Sequence, residues 1–331
     1  MLYIIDTCTD PYWNLAAEEY LLKEFNEPVF RLWQNDSSII VGHYQNTIAE
    51  IDTQYVKENN IKVVRRLTGG GAVFHDLGNL NFTFIEDKIN GEDSAAMFQR
   101  FTLPILDALN SLGVKAYLQG RNDLLIDGRK FSGNAICIHK SRILQHGTLL
   151  FSSSMANLSA ALKNRPEKFI GKSVQSNRSR VTNISEHLKD RGMDINVFKK
   201  YLGNYICSKY SQEITSYNYT QKDINAIDKL KKERYALDIW NFGNSPTYSY
   251  GKVEKLTGGI VEVYFEVEKG IITKLQIFGD YFFTKPTEEF IQSIIGTLHT
   301  PTSLAAKFEG INMQAYFSNI SNKELLSMFF N

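Results

Sequence analysis

The spacing of apolar and polar positions divides the chain into short elements of two periods. Residues 2–5 read as a strand. Over 14–25 (NLAAEEYLLKEF), Leu15, Ala16, Tyr20, Leu21, Leu22 and Phe25 recur at helical spacing, which predicts an amphipathic helix. Residues 29–33 (VFRLW) and 38–42 (SIIVG) read as paired strands around a polar Gln34-Asn35-Asp36-Ser37 turn. A helix over 52–59 and a strand over 61–66 follow, then a sharp turn at 67–71 (LTGGG) and strands over 72–75 and 79–85. The helical pattern of 93–112 contains Pro104, which predicts a kink or break because proline lacks an amide hydrogen. Strands over 114–119, 122–126, 133–139 and 147–151 are separated by turns at Gly120, Asp127-Gly128 and His139-Lys140. Helices are expected at 155–162, 194–209 and 221–235, and a loop rich in Ser, Asn and Arg over 171–183.

Strands and helices do not alternate as they do in a doubly wound fold. The pattern predicts an α+β class with a mixed, largely antiparallel sheet flanked by helices. At 331 residues the chain exceeds the size at which one core keeps growing. The segment 243–251 (GNSPTYSYG) reads as a linker. Strands over 259–268 and 271–278, joined at Lys269-Gly270, and helices over 287–298 and 321–330 follow it. The expected division is a larger domain over 1–246 and a small α+β accessory domain over 247–331.

Composition removes several function classes. The formal net charge of +1 provides no field that draws the protein to nucleic acid or an anionic membrane. Cys8, Cys137 and Cys207 are far apart and form no CxxC pair, so neither a disulfide framework nor a zinc site is expected, and a reducing cytoplasmic setting fits. The N-terminus turns polar too early for a signal peptide, and no apolar run reaches the length of a membrane span. HExxH and G-x-S-x-G are absent, which leaves metalloprotease and α/β-hydrolase chemistry without support.

Four segments carry chemistry. In RRLTGGGAVFHDLGN, from Arg65, three glycines after two arginines suit a turn whose N–H groups cradle an anion; by itself the segment fits a solvated hairpin equally. The P-loop spacing is missing. In GRNDLLIDGRKFSGNA, Asn122 and Asp123 offer oxygen ligands for Mg²⁺, and Lys130 follows the Asp127-Gly128 turn, either aimed at a phosphate as a point charge or solvated. In QHGTLLFS, His146 reads as a ligand contact or a structural strand residue. In SVQSNRSRVTN, Arg178 and Arg180 belong to a loop able to close over an anion, or to plain surface. Cys137 and His139 share one strand, where a buried thiol reads as core.

Taken in order, RRLTGGGAVFHDLGNLNFTF, GRNDLLIDGRKFSGNA, HGTLLFS and SRVTN resemble the lipoate–protein ligase family. NLAAEE at 14–19, Trp33, the segment from Gly42 to Asn46 and WNFG at 240–243 fit too, so the resemblance spans essentially the whole chain. It implies a catalytic domain like that of biotin protein ligases, plus a C-terminal accessory domain. It implies two half-reactions. Lipoate, or octanoate, and Mg·ATP give the acyl adenylate and pyrophosphate. The acyl group then passes to a lysine on a lipoyl domain of a 2-oxoacid dehydrogenase E2 subunit or on glycine-cleavage H protein. The resemblance assigns ATP binding to Arg66, Gly71, Ala72, Val73, Phe74 and Lys130. It assigns lipoate binding to Lys130, Gly70, Asn79, His146 and Gly147, while Mg²⁺ is placed on Asp123 by its oxygen chemistry. Lys130 bridges phosphate and carboxylate as the catalytic residue, and the 173–183 loop closes over the intermediate. An apolar acyl chain calls for a narrow apolar tunnel, with Val73, Phe82 and Leu149 as candidate lining.

Other readings stay open at this point. One is an ATP-independent lipoyl or octanoyl transferase between carriers, although no cysteine sits clearly in a reactive loop. Another is a non-catalytic carrier-binding protein, and a third is a biotin ligase, for which no GRGRxGR-like loop is present.

Overall fold

A computed structural model describes every residue except 46, 121, 163–180, 210–212, 242–249, 269–270, 298–300 and 330–331. Its first elements are β1 (Leu2–Ile5), α1 (Pro11–Glu24), β2 (Val29–Trp33), β3 (Ser38–Val41), α2 (Thr47–Glu50), α3 (Thr53–Glu58), β4 (Lys62–Arg65), β5 (Val73–His75) and β6 (Asn79–Asp87). Next come α4 (Ser94–Ser111), β7 (Ala116–Gln119), β8 (Asp123–Ile126), β9 (Arg129–His139), β10 (Arg142–Leu150), α5 (Met155–Ala161), α6 (Ile195–Lys209), β11 (Thr215–Ser216), α7 (Gln221–Leu230) and α8 (Asp238–Asn241). The last are β12 (Tyr250–Leu256), β13 (Gly259–Glu268), β14 (Ile271–Gly279), α9 (Thr287–Ile294), α10 (Pro301–Glu309), α11 (Met313–Tyr316) and α12 (Asn322–Ser327).

The large sheet has the order β11-β1-β2-β6-β10-β9-β8-β7. β11, β1 and β2 run parallel, and each further neighbour pair is antiparallel. The expected α+β class with a mixed, largely antiparallel sheet is therefore found. On one face, α4 and α6 bury Phe98, Phe101, Ile105, Phe198 and Leu202 against Phe82, Phe84 and Leu149. Phe30, Phe84 and Phe101 stack in series, with centroids 4.7 and 5.6 Å apart. Each such ring contributes roughly 1.5–3 kcal/mol by leaving water. The other face is covered by α1, capped by the Asp10 side chain with Pro11 in its first turn.

Three expectations need correction. The helix at 14–25 is not simply amphipathic: α1 starts at Pro11 and buries Asn14, Glu18 and Glu19 as well as its apolar residues, because it lies between two sheets. Residues 29–33 and 38–42 do not pair with each other. β2 lies between β1 and β6, whereas β3 pairs with β4 and β5 in a separate small sheet. The Asn14 amide donates to the Gln34 carbonyl and to Asn35 Oδ1, and so fixes the chain as it crosses between sheets. Pro104 does not break α4, which runs unbroken from Ser94 to Ser111.

The C-terminal part forms a third sheet, β12-β13-β14, with α9 to α12 around a core of its own. β12 begins inside the stretch expected to be linker, and the rest of that stretch lies outside the described residues. The two cores exchange one aromatic each. Tyr44, from the loop after β3, packs in the C-terminal core, and Phe282 packs in the large one against Phe98. Among the described residues, no helix is long and apolar enough to cross a membrane.

Candidate active site

β3 and β4 run parallel and deliver Arg65 and Arg66 to the start of the triple-glycine turn. Both are buried, at 6% and 5% exposure, and burial pushes both guanidinium groups down to about 10. Among the described residues neither pairs with a carboxylate. Arg66 is the clasp of the turn. Its Nε donates to Thr68 Oγ1 (2.8 Å), and its Nη2 donates to the carbonyls of Gly69 (2.6 Å) and Gly71 (2.9 Å). Gly70, between those carbonyls, has φ +92°, and a Cβ there would lie 3.0 Å from Arg66 Nη2. Arg65 holds the neighbouring loop. Its Nη1 donates to the carbonyls of Gly42, His43 and Gln45, and its Nε to that of Trp240. Trp240 returns a bond to the Arg65 carbonyl.

The turn opens on a cavity of about 140 Å³. Arg66, Gly70, Gly71, Ala72, Val73, Lys130, His146 and Gly147 line it, so eight of the expected residues converge. The others lie elsewhere. Phe74 turns into a separate apolar cluster with Ile39, Val41 and Val63. The Asn79 amide donates to Asn81 Oδ1 (2.8 Å). The Asp123 carboxylate pairs with Lys130 Nζ at 2.7 Å. Of the suggested tunnel residues only Val73 lines the cavity. Phe82 and Leu149 sit in the core on the other face of the sheet. Gly147 keeps that sheet closed, since a Cβ there would lie 2.3 Å from Asn134 Oδ1 and 2.5 Å from Phe82.

Lys130 is the second residue of β9, directly after the Asp127-Gly128 turn, and its ammonium lies over Gly133, 3.1 Å from where a Cβ would stand. Asn122 and Asn134 fasten β8 to β9 beside it, each side-chain amide donating to the other's carbonyl, at 2.7 and 3.0 Å. The 171–183 loop lies mostly outside the described residues. At its end the Thr182 amide donates to the Lys130 carbonyl (3.0 Å).

A buried polar chain lies under the cavity, and no motif in the sequence marks it. His146 Nδ1 lies 2.9 Å from Glu18 Oε2, and its Nε2 lies 2.8 Å from Thr68 Oγ1. From the other side, Trp33 Nε1 donates to Thr83 Oγ1, which donates to Glu18. Burial opposes ionisation of Glu18, yet His146, Thr83 and Arg31 together hold its carboxyl below the usual range. NLAAEE gave no cue for this, because Glu18 followed by Glu19 looks like a solvated face. Two further wall residues, His75 and Asn81, also escaped notice. His75 Nδ1 accepts from Asn35, while its Nε2 and the Asn81 amide nitrogen are buried with no partner among the described residues.

Two histidines give the fold a pH dependence. Burial pushes His43 down to about 4, with Glu288 opposing and Arg65 adding to the shift. Burial, with His146 and Arg66, pushes His75 down to about 3. An unfolded histidine titrates near about 6.5, so between about 4 and 6.5 the unfolded chain binds more protons than the folded one. Stability is therefore complete above about 6.5 and lost as pH falls. We expect the melting temperature to drop between pH 7 and pH 5, and a His43→Gln, His75→Asn double variant to drop less. Equal slopes in the two proteins would exclude these histidines as the source.

With this geometry in view, comparison with known proteins defines the class. Residues 10–207 match the family model described as the lipoyl protein ligase A/B catalytic domain, and residues 245–329 match the bacterial lipoate protein ligase C-terminus. The chain belongs to the lipoate–protein ligase family. Among curated relatives it is 42% identical to the lipoate-protein ligase LplJ of Bacillus subtilis, with all of both chains covered. Among solved structures it resembles LipL1 of P. falciparum in complex with lipoate, at TM-score 0.79 and 26% identity, covering 98% of this chain and 97% of that one. It also resembles a lipoate-protein ligase A bound with ATP, at TM-score 0.64 and 27% identity, covering 73% of this chain and 98% of that one.

Proposed function

We propose that the protein joins lipoate to a carrier lysine in two steps. In the first, a lipoate carboxylate oxygen attacks the α-phosphorus of ATP, the bond to the β-phosphate oxygen breaks, and pyrophosphate leaves. In the second, the ε-amine of a lysine attacks the acyl carbon of lipoyl-AMP. AMP leaves with the bonding electrons and the amine loses a proton. The carrier would be a lipoyl domain of an E2 subunit or glycine-cleavage H protein, and octanoate is an alternative acid.

One observation carries this reading: a single cavity is lined by both Lys130 and the glycine turn. The acid and the α-phosphate can thus meet in a cavity that holds both an ammonium and the glycine turn. Charge growing on phosphorus is stabilised there by groups already oriented for it. Arg65 and Arg66, buried and paired with no carboxylate among the described residues, add a positive field that favours a polyphosphate. The Asp123 carboxylate lies outside the cavity lining and pairs with Lys130 at 2.7 Å, so it would have to exchange that partner to hold Mg²⁺. The metal would supply charge neutralisation on the phosphates. Among the described residues no cluster of three His, Cys, Asp or Glu forms a metal cage. Cysteine chemistry finds no such support, since burial pushes the Cys137 thiol up to about 12.

The test is incubation with lipoate, Mg·ATP and labelled pyrophosphate. Lipoate-dependent label in ATP is expected. No exchange, together with acyl transfer from one carrier to another, would establish the transferase instead. A second prediction concerns Gly70→Val. Its β-branched side chain cannot adopt φ +92° without strain and would press on Arg66. We expect a folded protein whose KM for ATP rises or whose exchange is abolished. Wild-type kinetics would place the turn outside the site.

A further inference from the structure

We propose that Thr68 is a positioning residue that couples the acid-binding wall to the nucleotide-binding turn, so that acid and nucleotide bind cooperatively. The proposal rests on the ligase reading above.

Thr68 is completely buried. Its Oγ1 accepts the Nε–H of Arg66 at 2.8 Å, which leaves its own proton to place. The acceptor within reach among the described residues is His146 Nε2, also at 2.8 Å. A ring that accepts at Nε2 must carry its proton at Nδ1, and Nδ1 faces Glu18, a carboxylate that only accepts. Every proton in the chain from Arg66 through Thr68 and His146 to Glu18 is thereby assigned one direction. Arg66 sits at the upstream end and grips the carbonyls on either side of Gly70. One hydroxyl therefore stands between a ring on the cavity wall and the guanidinium that shapes the glycine turn.

A ligand packed against His146 holds the ring in the rotamer that accepts from Thr68. That orientation aims the Thr68 lone pair at Arg66 and keeps the Gly69 and Gly71 carbonyls turned towards the guanidinium, which orders the turn before phosphate arrives. By linkage, nucleotide bound at the turn must tighten the acid by the same factor. Valine has nearly the shape of threonine but neither donates nor accepts, so Thr68→Val cuts the chain at both bonds. Serine keeps the hydroxyl.

The experiment measures lipoate binding to the full chain by calorimetry, with and without saturating α,β-methylene ATP. For the wild type we expect lipoate to bind about tenfold more tightly in the presence of the analogue, within the usual range of coupling. T68V should bind both ligands with a ratio below about twofold, and T68S should keep the wild-type ratio. A wild-type ratio of one, an unchanged ratio in T68V, or a ratio lost equally in T68S would overturn the coupling. Nitrogen NMR of labelled histidine tests the same chain without a variant. The proton of His146 is expected on Nδ1 alone, and a proton on Nε2, alone or together with one on Nδ1, would overturn the proposal. Failure of the wild type to bind either lipoate or the analogue would instead overturn the ligase reading.

Discussion

Lys130→Ala is expected to lower lipoate-dependent ATP–pyrophosphate exchange by more than about 100-fold, the scale for losing one preoriented transition-state donor. Stability should barely change. The ion pair that Lys130 makes with Asp123 is more than a third exposed on both sides, and exposed pairs are worth only about 0–1 kcal/mol. A merely structural lysine would give a small loss in both measurements, so the contrast between them identifies the role. Lys130→Arg should fail as well. The ammonium is fitted over Gly133, where even a Cβ would stand 3.1 Å from it, and a planar guanidinium is wider and spreads its charge over a fork. Near-normal exchange in either variant would reduce Lys130 to a structural residue of β9.

What the sequence revealed of this site, and what it hid, follows from the range of the interactions. RRLTGGGAVF was legible because the clasp is local: Arg66 grips Gly69 and Gly71, three and five residues away. Lys130 and Asp123 were legible as chemistry, though as a turn and a metal ligand rather than as partners across β8 and β9. Glu18 was invisible because its partners, Thr83 and His146, are 65 and 128 residues distant. Its periodic context predicted a solvated face only because a second sheet above α1 was not foreseen. The false pairing of 29–33 with 38–42 has the same origin. Alternation marks a strand but does not name its neighbour, and here β6 and β4 compete successfully for those edges. Pro104 misled in the opposite direction. The bond it removes is one among many in α4, and the burial of Phe98, Phe101, Ile105 and Leu109 on both sides outweighs it.

Tyr44→Ala should separate the two halves of the reaction. Tyr44 leaves the catalytic part on a loop that Arg65 fixes through three carbonyls, and its ring enters the C-terminal core. There it stacks on Tyr281 at 5.6 Å and meets the edge of Phe283 at 4.6 Å. Its hydroxyl accepts from the Thr287 amide (2.8 Å) and donates to Glu288 (3.0 Å), and its carbonyl accepts from Gly279 (2.7 Å). Burial holds the phenol well above its ordinary value, so the hydroxyl keeps its proton for that donation. Truncating so buried an aromatic costs about 3–5 kcal/mol. That cost falls on the docking of the C-terminal part, because the large sheet does not use Tyr44. The segment 281–283 backs the glycine turn, which ties this docking to the proposed first half-reaction. A Cβ on Gly69 would stand 2.6 Å from the Tyr281 carbonyl and 3.3 Å from the Phe283 ring. Without that backing, the turn keeps only the bonds within the catalytic part, from Arg66, His43 and His146. We expect calorimetry of Tyr44→Ala to split into two transitions and pyrophosphate exchange to fall about tenfold or more, as for a lost positioning contact near the reacting groups. Transfer from preformed lipoyl-AMP to a carrier, which no longer needs a triphosphate held at the turn, should be nearly unchanged. Tyr44→Phe, which keeps the stacking and loses about 1 kcal/mol of hydrogen bonding, should restore most of the exchange. If Tyr44→Ala exchanges pyrophosphate at the full rate, the C-terminal part does not support adenylation, and its place in the reaction lies with the carrier.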